Sequence, residues 1–308
     1  MEIKKIKIGV LGGGVSGERD VSLVSSKAAY EALLRCGMNA VWVDVVSDDK
    51  EQLKRLLSEQ GIEYAFIVLH GEFGEDGRIQ KILEEIGIPY NGSSPESSYA
   101  AMDKIVSKEI FVKYGVPTAA YRVCLKPTDM VDMHYPLVVK PFFSGSSLGV
   151  SIVRDKEGLP VALSEALKYN GHKALVEDYI DGRELTVGIL QDQPLEVVEI
   201  APRKGFYDFE NKYGNDLTDF LAPAPLDAAM RAHIRTLALN AHKALGCRNF
   251  SRVDFRLNSK NEAYVLEVNS IPGLTSHSLL PLSAKCCGIT FDQLILKMIE
   301  PSSLSKGA

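Results

Sequence analysis

At 308 residues, with 45% hydrophobic and 24% charged side chains, the chain has room for two or three domains with well-buried cores. A net charge of −5 argues against a general nucleic-acid binder, and no apolar run approaches the ~18 residues that cross a bilayer. Five cysteines without CxxC or histidine-paired spacing suit reduced thiols in a cytosolic protein, and MEIKKIKIGVL passes straight into a strand without the pattern of a signal peptide.

Ile6–Leu11 is a short apolar strand that runs into Gly12-Gly13-Gly14-Val15-Ser16-Gly17, and the spacing of Val21, Val24 and Ala28 predicts a helix from about Glu18. Glycines 12, 14 and 17 fit G-x-G-x-x-G, and Asp44 on a second strand, Asn39–Val46, stands at a ribose-binding distance. An NAD-dependent enzyme is therefore a rival reading. Glu18 and Asp20 oppose it, because carboxylates at a helix start occupy the field that would hold a pyrophosphate; they suit a ligand's ammonium, or simply cap the helix. Ala65–Leu69 is a continuous apolar run typical of a buried parallel strand, and it delivers His70-Gly71 to the carboxyl end where ligands gather. A helix from about Arg78 follows, and Pro89–Pro95 is turn-rich enough to mark a first domain boundary.

Lys104 opens the next helix, Pro117 breaks it, and a strand at Pro136–Lys140 leads into the loop PFFSGSSLGV. Lys104 and Lys140 are each ordinary surface lysines or, with the N–H groups of that Ser/Gly loop, phosphate ligands; no Walker A pattern is present. Leu175–Tyr179 is a strand carrying Glu177, and Thr186–Leu190 with Leu195–Ile200 makes a hairpin around Asp192-Gln193-Pro194. Gly205–Ala222 is polar and aromatic without periodicity, the mark of a functional loop. Asp227 caps a helix whose stripe of Met230, Ile234, Leu237, Ala241 and Leu245 ends at Gly246, with His233 and His242 given no part in function. A short helix, Phe291–Ile299, closes the pattern before a polar tail.

Phe250–Leu257 and Ala263–Asn269 form an antiparallel hairpin across Asn258–Asn261. Arg252 and Asp254 share one face of the first strand, and Glu267 and Asn269 one face of the second. Such a face is either solvated or a hard-cation site, since its donors are all oxygen. Pro272-Gly273 then forces a turn that exposes backbone N–H groups. The run R-V-D-F…E-V-N-x-x-P-G-L-T-S-H-S resembles the C-terminal signature of the D-alanine–D-alanine ligases, members of the ATP-grasp superfamily. The family's G-G-x-S-x-E-R-x-V-S at Gly13–Ser22, H-G-x-x-G-E-D-G at His70–Gly77, M-D-K at Met102–Lys104 and V-K-P-x-x-x-G-S-S-x-G at Val139–Gly149 recur in order. Phe143 and Ser144 stand where the family often has Arg and Glu.

The resemblance implies an α/β fold in three parts: an N-terminal parallel-sheet, Rossmann-like substrate-binding domain (1–94), a central α+β ATP-grasp subdomain (95–180) and a C-terminal subdomain (181–308) with an omega loop at 205–222. It implies ATP-dependent ligation of two D-alanine molecules through a D-alanyl phosphate, releasing ADP and phosphate, for peptidoglycan synthesis. ATP would contact Lys104, Lys140, Glu177, Ile180, Glu184, Phe206 and Lys212. Mg2+ or Mn2+, as two ions, would take Asp254, Glu267 and Asn269. Glu18, with His70 nearby, would hold the first D-alanine, and Ser146 would link its loop to Glu18 and Tyr213. Arg252 and the Gly273 N–H would stabilise an oxyanion, and Ser278 and Leu279 would hold the second substrate. Tyrosine at 213 favours an amine acceptor over D-lactate. A cytoplasmic homodimer without nucleic-acid or membrane partners is the matching expectation. A ligase with another acceptor, an NAD enzyme and a non-catalytic ATP-binding regulator are the alternatives.

Overall fold

The computed structural model describes residues 5–169, 172–203, 218–275 and 278–299. Strands β1 (Ile8–Gly13), β2 (Ala40–Val45) and β3 (Tyr64–Ile67) form a parallel sheet in the order β2-β1-β3, and Tyr90 extends it by a parallel bridge to Ala65. Every residue of β1 and β3 is buried, which explains their unbroken apolar sequence: crossovers through helices α1 (Arg19–Arg35), α2 (Lys50–Glu59) and α3 (Arg78–Ile86) flank this sheet. Asp49 starts α2 by accepting the Gln52 N–H at 2.8 Å, and left-handed Gly87 ends α3.

Helices α4 (Pro95–Met102) and α5 (Lys104–Lys113) follow, capped by Ser94 and Asp103. The turn-rich stretch ends at Ser94 in a helix start, with Pro95 at the first helical position where its missing N–H costs nothing. Four antiparallel strands, β4 (Tyr121–Cys124), β5 (Leu137–Pro141), β6 (Ser151–Val153) and β7 (Ala174–Asp178), pair in the order β4-β7-β5-β6 and share a core with helix α6 (Leu159–Ala166).

The third sheet is antiparallel, in the order β10-β9-β8-β11-β12, from β8 (Arg183–Leu190), β9 (Gln193–Pro202), β10 (Thr218–Leu221), β11 (Phe250–Leu257) and β12 (Ala263–Asn269). The β8–β9 turn lies at Gln191-Asp192, one residue earlier than the sequence reading. Both residues have left-handed φ, 51° and 56°, the twist that a two-residue hairpin requires. Helix α7 (Ala228–Ala244) starts on Asp227 as expected and packs Ile234, Leu237 and Ala241 against this sheet together with Ala100, Ala101 and Phe111 from α4 and α5. His242 is fully buried there, bonded to Ser251 at 2.7 Å and Asp192 at 3.0 Å, so it ties the β8–β9 turn to β11.

The last helices, α8 (Leu279–Cys286) and α9 (Phe291–Ile299), return to the first sheet. Leu280, Ala284, Leu294, Ile295 and Met298 share one core with Ile8, Val10, Phe66 and Phe250. Close approach makes this possible: a Cβ on Gly188 of β8 would stand 2.7 Å from Leu280 Cδ1. Among the described residues no single helix is long and apolar enough to cross a membrane. Phe250 joins the two ends of the chain in this core. Phe250→Ala is therefore expected to cost about 3–5 kcal/mol, read as an earlier midpoint in urea unfolding followed by fluorescence and circular dichroism.

Candidate active site

The register of β11 against β12 sets Arg252 opposite Asn269 and Asp254 opposite Glu267, with a bulge after Asp254 where Phe255 pairs with Val265. Alternation of side chains then brings all four to one face, as the sequence pattern predicted. Arg252 grips Asp254 with both ends of its guanidinium, Nε at 2.9 Å and Nη2 at 2.7 Å. Thr186 on β8 donates to Asp254 Oδ1 at 2.6 Å, and Asn269 Nδ2 donates to Oδ2 at 3.1 Å. Lys104 Nζ lies 3.1 Å from Glu267 Oε2. The donor set suits a hard cation: two carboxylates and an amide, with phosphate or water left to complete an octahedron. Among the described residues no three His, Cys, Asp or Glu side chains cluster as an all-protein metal cage.

This face borders a cleft between the second and third sheets, where Lys104, Lys140, Ile180, Glu184, Asp254 and Glu267 line one cavity with the Ser144–Leu148 segment at its rim. Lys104, at the start of α5, also donates to the Ser144 carbonyl at 2.7 Å and so holds that loop near Glu267. Lys140, at the end of β5, forms an ion pair with Glu177 on neighbouring β7. Glu177 also lines the cleft, but its carboxylate is 3% exposed and engaged by Lys140 and by Lys108, whose Nζ is 2.5 Å away. Burial alone would push the Glu177 carboxyl up; the two lysines outweigh it and hold it below the ordinary carboxylate range. Arg256 fixes the strand entering the third sheet, donating to the Ile180 carbonyl at 3.1 Å and to Glu184 at 3.3 Å. Lys108 was not legible in the sequence, where a lysine in mid-helix reads as solvated.

At the carboxyl end of the parallel sheet, Glu18 occupies the N-cap of α1, but its side chain caps no helix N–H. It accepts instead from the Ser146 hydroxyl, so the capping alternative does not describe this carboxylate. Ser146 and Ser147 both have left-handed φ, 52° and 57°, a costly conformation concentrated in binding loops. Ser16 donates to the His70 carbonyl at 2.6 Å, and His70 Nδ1 faces the Ile271 carbonyl at 3.1 Å. His70 Nε2 is buried without a protein partner. Glu75, which sequence reasoning did not single out, accepts the Gly71 N–H at 3.0 Å. Burial raises its carboxyl above 4.5 and the nearby Glu18 adds to this, against the pull of His70. Asp44, the residue of the dinucleotide reading, is held by Arg19 at 2.8 Å, and Arg19 also donates to the Gly14 and Val45 carbonyls at 3.2 Å. That carboxylate braces the glycine turn, and the NAD reading loses its ribose ligand.

The Pro272-Gly273 turn is anchored on α1, where the Leu274 N–H meets Ser25 Oγ at 3.2 Å. Ser278 precedes α8 and accepts the Thr275 N–H at 2.9 Å, while the N–H of Leu279 is among the first of a helix and has no partner within it. A Cβ on Gly273 would stand 2.8 Å from Ser278 Oγ. The structure thus assembles Arg252, Asp254, Glu267 and Asn269 on one face, Lys104 and Lys140 in the adjoining cleft, and Glu18 with Ser146 at the serine loop. Phe206, Lys212 and Tyr213 lie outside the described residues.

Comparison with known proteins agrees across the chain. Residues 44–93 match the family model described as D-ala D-ala ligase N-terminus, and residues 110–300 match that of the D-ala D-ala ligase C-terminus. A D-alanine–D-alanine ligase from Citrifermentans bemidjiense is 45% identical over 304 residues, covering 98% of each chain. Another, from Geobacter sulfurreducens, is 45% identical over 309 residues, covering 98% of this chain and 96% of the relative. The crystal structure of D-alanine–D-alanine ligase from Bacillus anthracis complexed with ATP superposes with a TM-score of 0.84 at 32% identity, covering 97% of this chain and 98% of that one. The VanG D-Ala:D-Ser ligase from Enterococcus faecalis superposes with a TM-score of 0.83 at 30% identity, covering 95% and 98%.

The raised Glu75 carboxyl has a pH consequence. Its folded form binds the proton more tightly than the unfolded chain, so its contribution favours folding in acid and is lost as pH rises from 4.5 through the raised value. Glu75→Gln is expected to flatten that part of the stability curve, measured as melting temperature from about pH 4 to about pH 8.

Proposed function

The chain belongs to the D-alanine–D-alanine ligase family, and we infer that its cleft is where two D-alanine molecules are joined to D-alanyl-D-alanine at the expense of ATP. The enzyme is an ATP-dependent, ADP-forming ligase with the ATP-grasp fold, serving peptidoglycan precursor synthesis. The observation that carries the site assignment is the carboxylate face of β11–β12 opening on the same cleft as Lys104 and Lys140. A polyphosphate and its cation need that combination in one place.

In this assignment the chain divides at about residues 94 and 180, and ATP lies between the second and third sheets. Lys104, Lys140 and Lys212 receive phosphate oxygens, Glu177, Ile180 and Glu184 contact adenine and ribose, and Phe206 stacks on the base. Asp254, Glu267 and Asn269 would hold Mg2+, or two such ions, which when bound offsets charge on the phosphates. The ammonium of the first D-alanine binds Glu18 with His70 beside it, and Tyr213 completes a link to Ser146. The carboxylate of that D-alanine attacks the γ-phosphorus, forming an acyl phosphate as the bond to ADP breaks. The second D-alanine, its carboxylate held by Ser278 and the Leu279 N–H, then attacks the activated carbonyl through its amine, and phosphate leaves. Arg252 and the Gly273 N–H stabilise the tetrahedral oxyanion. Closure of the 205–222 loop keeps water from the acyl phosphate. A cytoplasmic homodimer without membrane or nucleic-acid partners completes the reading. The likeness to VanG keeps D-serine as a second acceptor to be assayed beside D-alanine.

Phosphate release from ATP and Mg2+ is expected to depend on D-alanine and not on L-alanine, with the dipeptide appearing on chromatography. Release with D-serine or D-lactate but not with D-alanine would retain the mechanism and discard the substrate, and the absence of release with every substrate tested would overturn the function. Lys212→Ala is expected to keep nucleotide binding while lowering kcat by at least about a hundredfold. An unchanged kcat would remove Lys212 from the site.

A further inference from the structure

Lys108 lies one helical turn beyond Lys104 on α5 and is 1% exposed, against 8% for Lys104 and Lys140. An ammonium has three donors, and two of these have hydrogen-bond acceptors while a carboxylate oxygen stands against the charge. Nζ donates to Thr118 Oγ1 at 2.7 Å and to the Ala119 carbonyl at 3.0 Å, and stands 2.5 Å from Glu177 Oε1 in an ion contact. The ring of Tyr121 lies 5.4 Å from the charge, and the Thr118 hydroxyl donates in turn to the Val265 carbonyl of β12 at 2.9 Å. Lys108 is therefore fixed on every side. Lys140 is not: its ion pair is with the other oxygen of Glu177, and it lines the cleft.

Glu177 is a buried carboxylate shared by one immobile lysine and one at the cleft wall. A buried carboxylate that loses its only counter-ion is costly, so a single lysine paired with Glu177 would be held there when phosphate arrived. We propose that Lys108 is a positioning residue, the permanent counter-ion of Glu177, whose presence frees Lys140 to move from Glu177 to the phosphates of the nucleotide. The inference rests on the reading that Lys140 is a phosphate ligand. Burial holds the Lys108 ammonium below its ordinary range, and Glu177 offsets part of that, as expected of partners that depend on each other.

The test compares ATP with adenosine, which carries the same base and ribose but no phosphate, by displacement of a fluorescent nucleotide from the full chain. Lys108→Met is expected to weaken ATP by about tenfold or more while adenosine changes little, because only the phosphate contact loses its lysine. Equal weakening of both, or no weakening of ATP, would overturn the proposal; equal weakening is what a merely structural lysine predicts. Lys140→Met is the control for the reading beneath it, and unchanged ATP affinity there would remove Lys140 from the phosphates. The double variant Lys108→Met with Glu177→Gln removes both members of the buried pair and leaves Lys140 with no carboxylate to hold it, so it remains informative should Lys108→Met not fold. It is expected to recover the preference for ATP over adenosine. A preference as low as that of Lys140→Met would contradict the proposal.

Discussion

Two carboxylates, Asp254 and Glu267, face each other across the β11–β12 ladder at the edge of a half-buried cleft. Like charges directly opposite on neighbouring strands repel, and burial strengthens the repulsion, so the pair requires cations. Arg252 meets one carboxylate and Lys104 the other. These two cations connect the chemistry to the fold. Arg252 is two residues from Asp254 on the same strand, and Lys104 begins a helix whose own core is shared with the third sheet. Lys104 also holds the Ser144 carbonyl, so the serine loop is positioned by the same balance of charge.

The second sheet and helix α5 repeat that arrangement with a different partition. Glu177 is more deeply buried than Asp254, and two lysines rather than one arginine neutralise it. Arginine's bidentate grip suits a carboxylate that keeps its place, whereas lysine is a point charge on a flexible stem. The first sheet contributes a carboxylate of another kind. Glu18 stands at the start of a helix and yet bonds a hydroxyl on a distant loop, which brings the carboxyl end of the parallel sheet to the serine loop of the second.

Much of this was legible in the sequence because local pattern and tertiary role agree. The hairpin bounds, the four residues on its face, the Asp227 cap and the last helix follow from strand alternation and helix periodicity, and the packed structure does not oppose them. The C-terminal helices fold onto the first sheet through Leu280, Leu294 and Ile295, a placement that no local pattern announces. Helix α4 was not anticipated because Ser94-Pro95, at the end of a turn-rich stretch, reads as a turn and serves here as a cap followed by a helical proline. Lys108 and Glu75 escaped notice because their roles come from burial. The first is one lysine among several on a helix of mixed pattern, and the second is one acid in a polar loop.

The central claim is that the β11–β12 face holds the cation beside the nucleotide. Titration of Mn2+ by electron paramagnetic resonance, with a non-hydrolysable ATP analogue present, tests it most directly. The account predicts tight, analogue-dependent Mn2+ binding that is lost in Asp254→Ala and in Glu267→Ala, while both variants remain folded. Undiminished Mn2+ binding in either variant would contradict it and place the cation elsewhere.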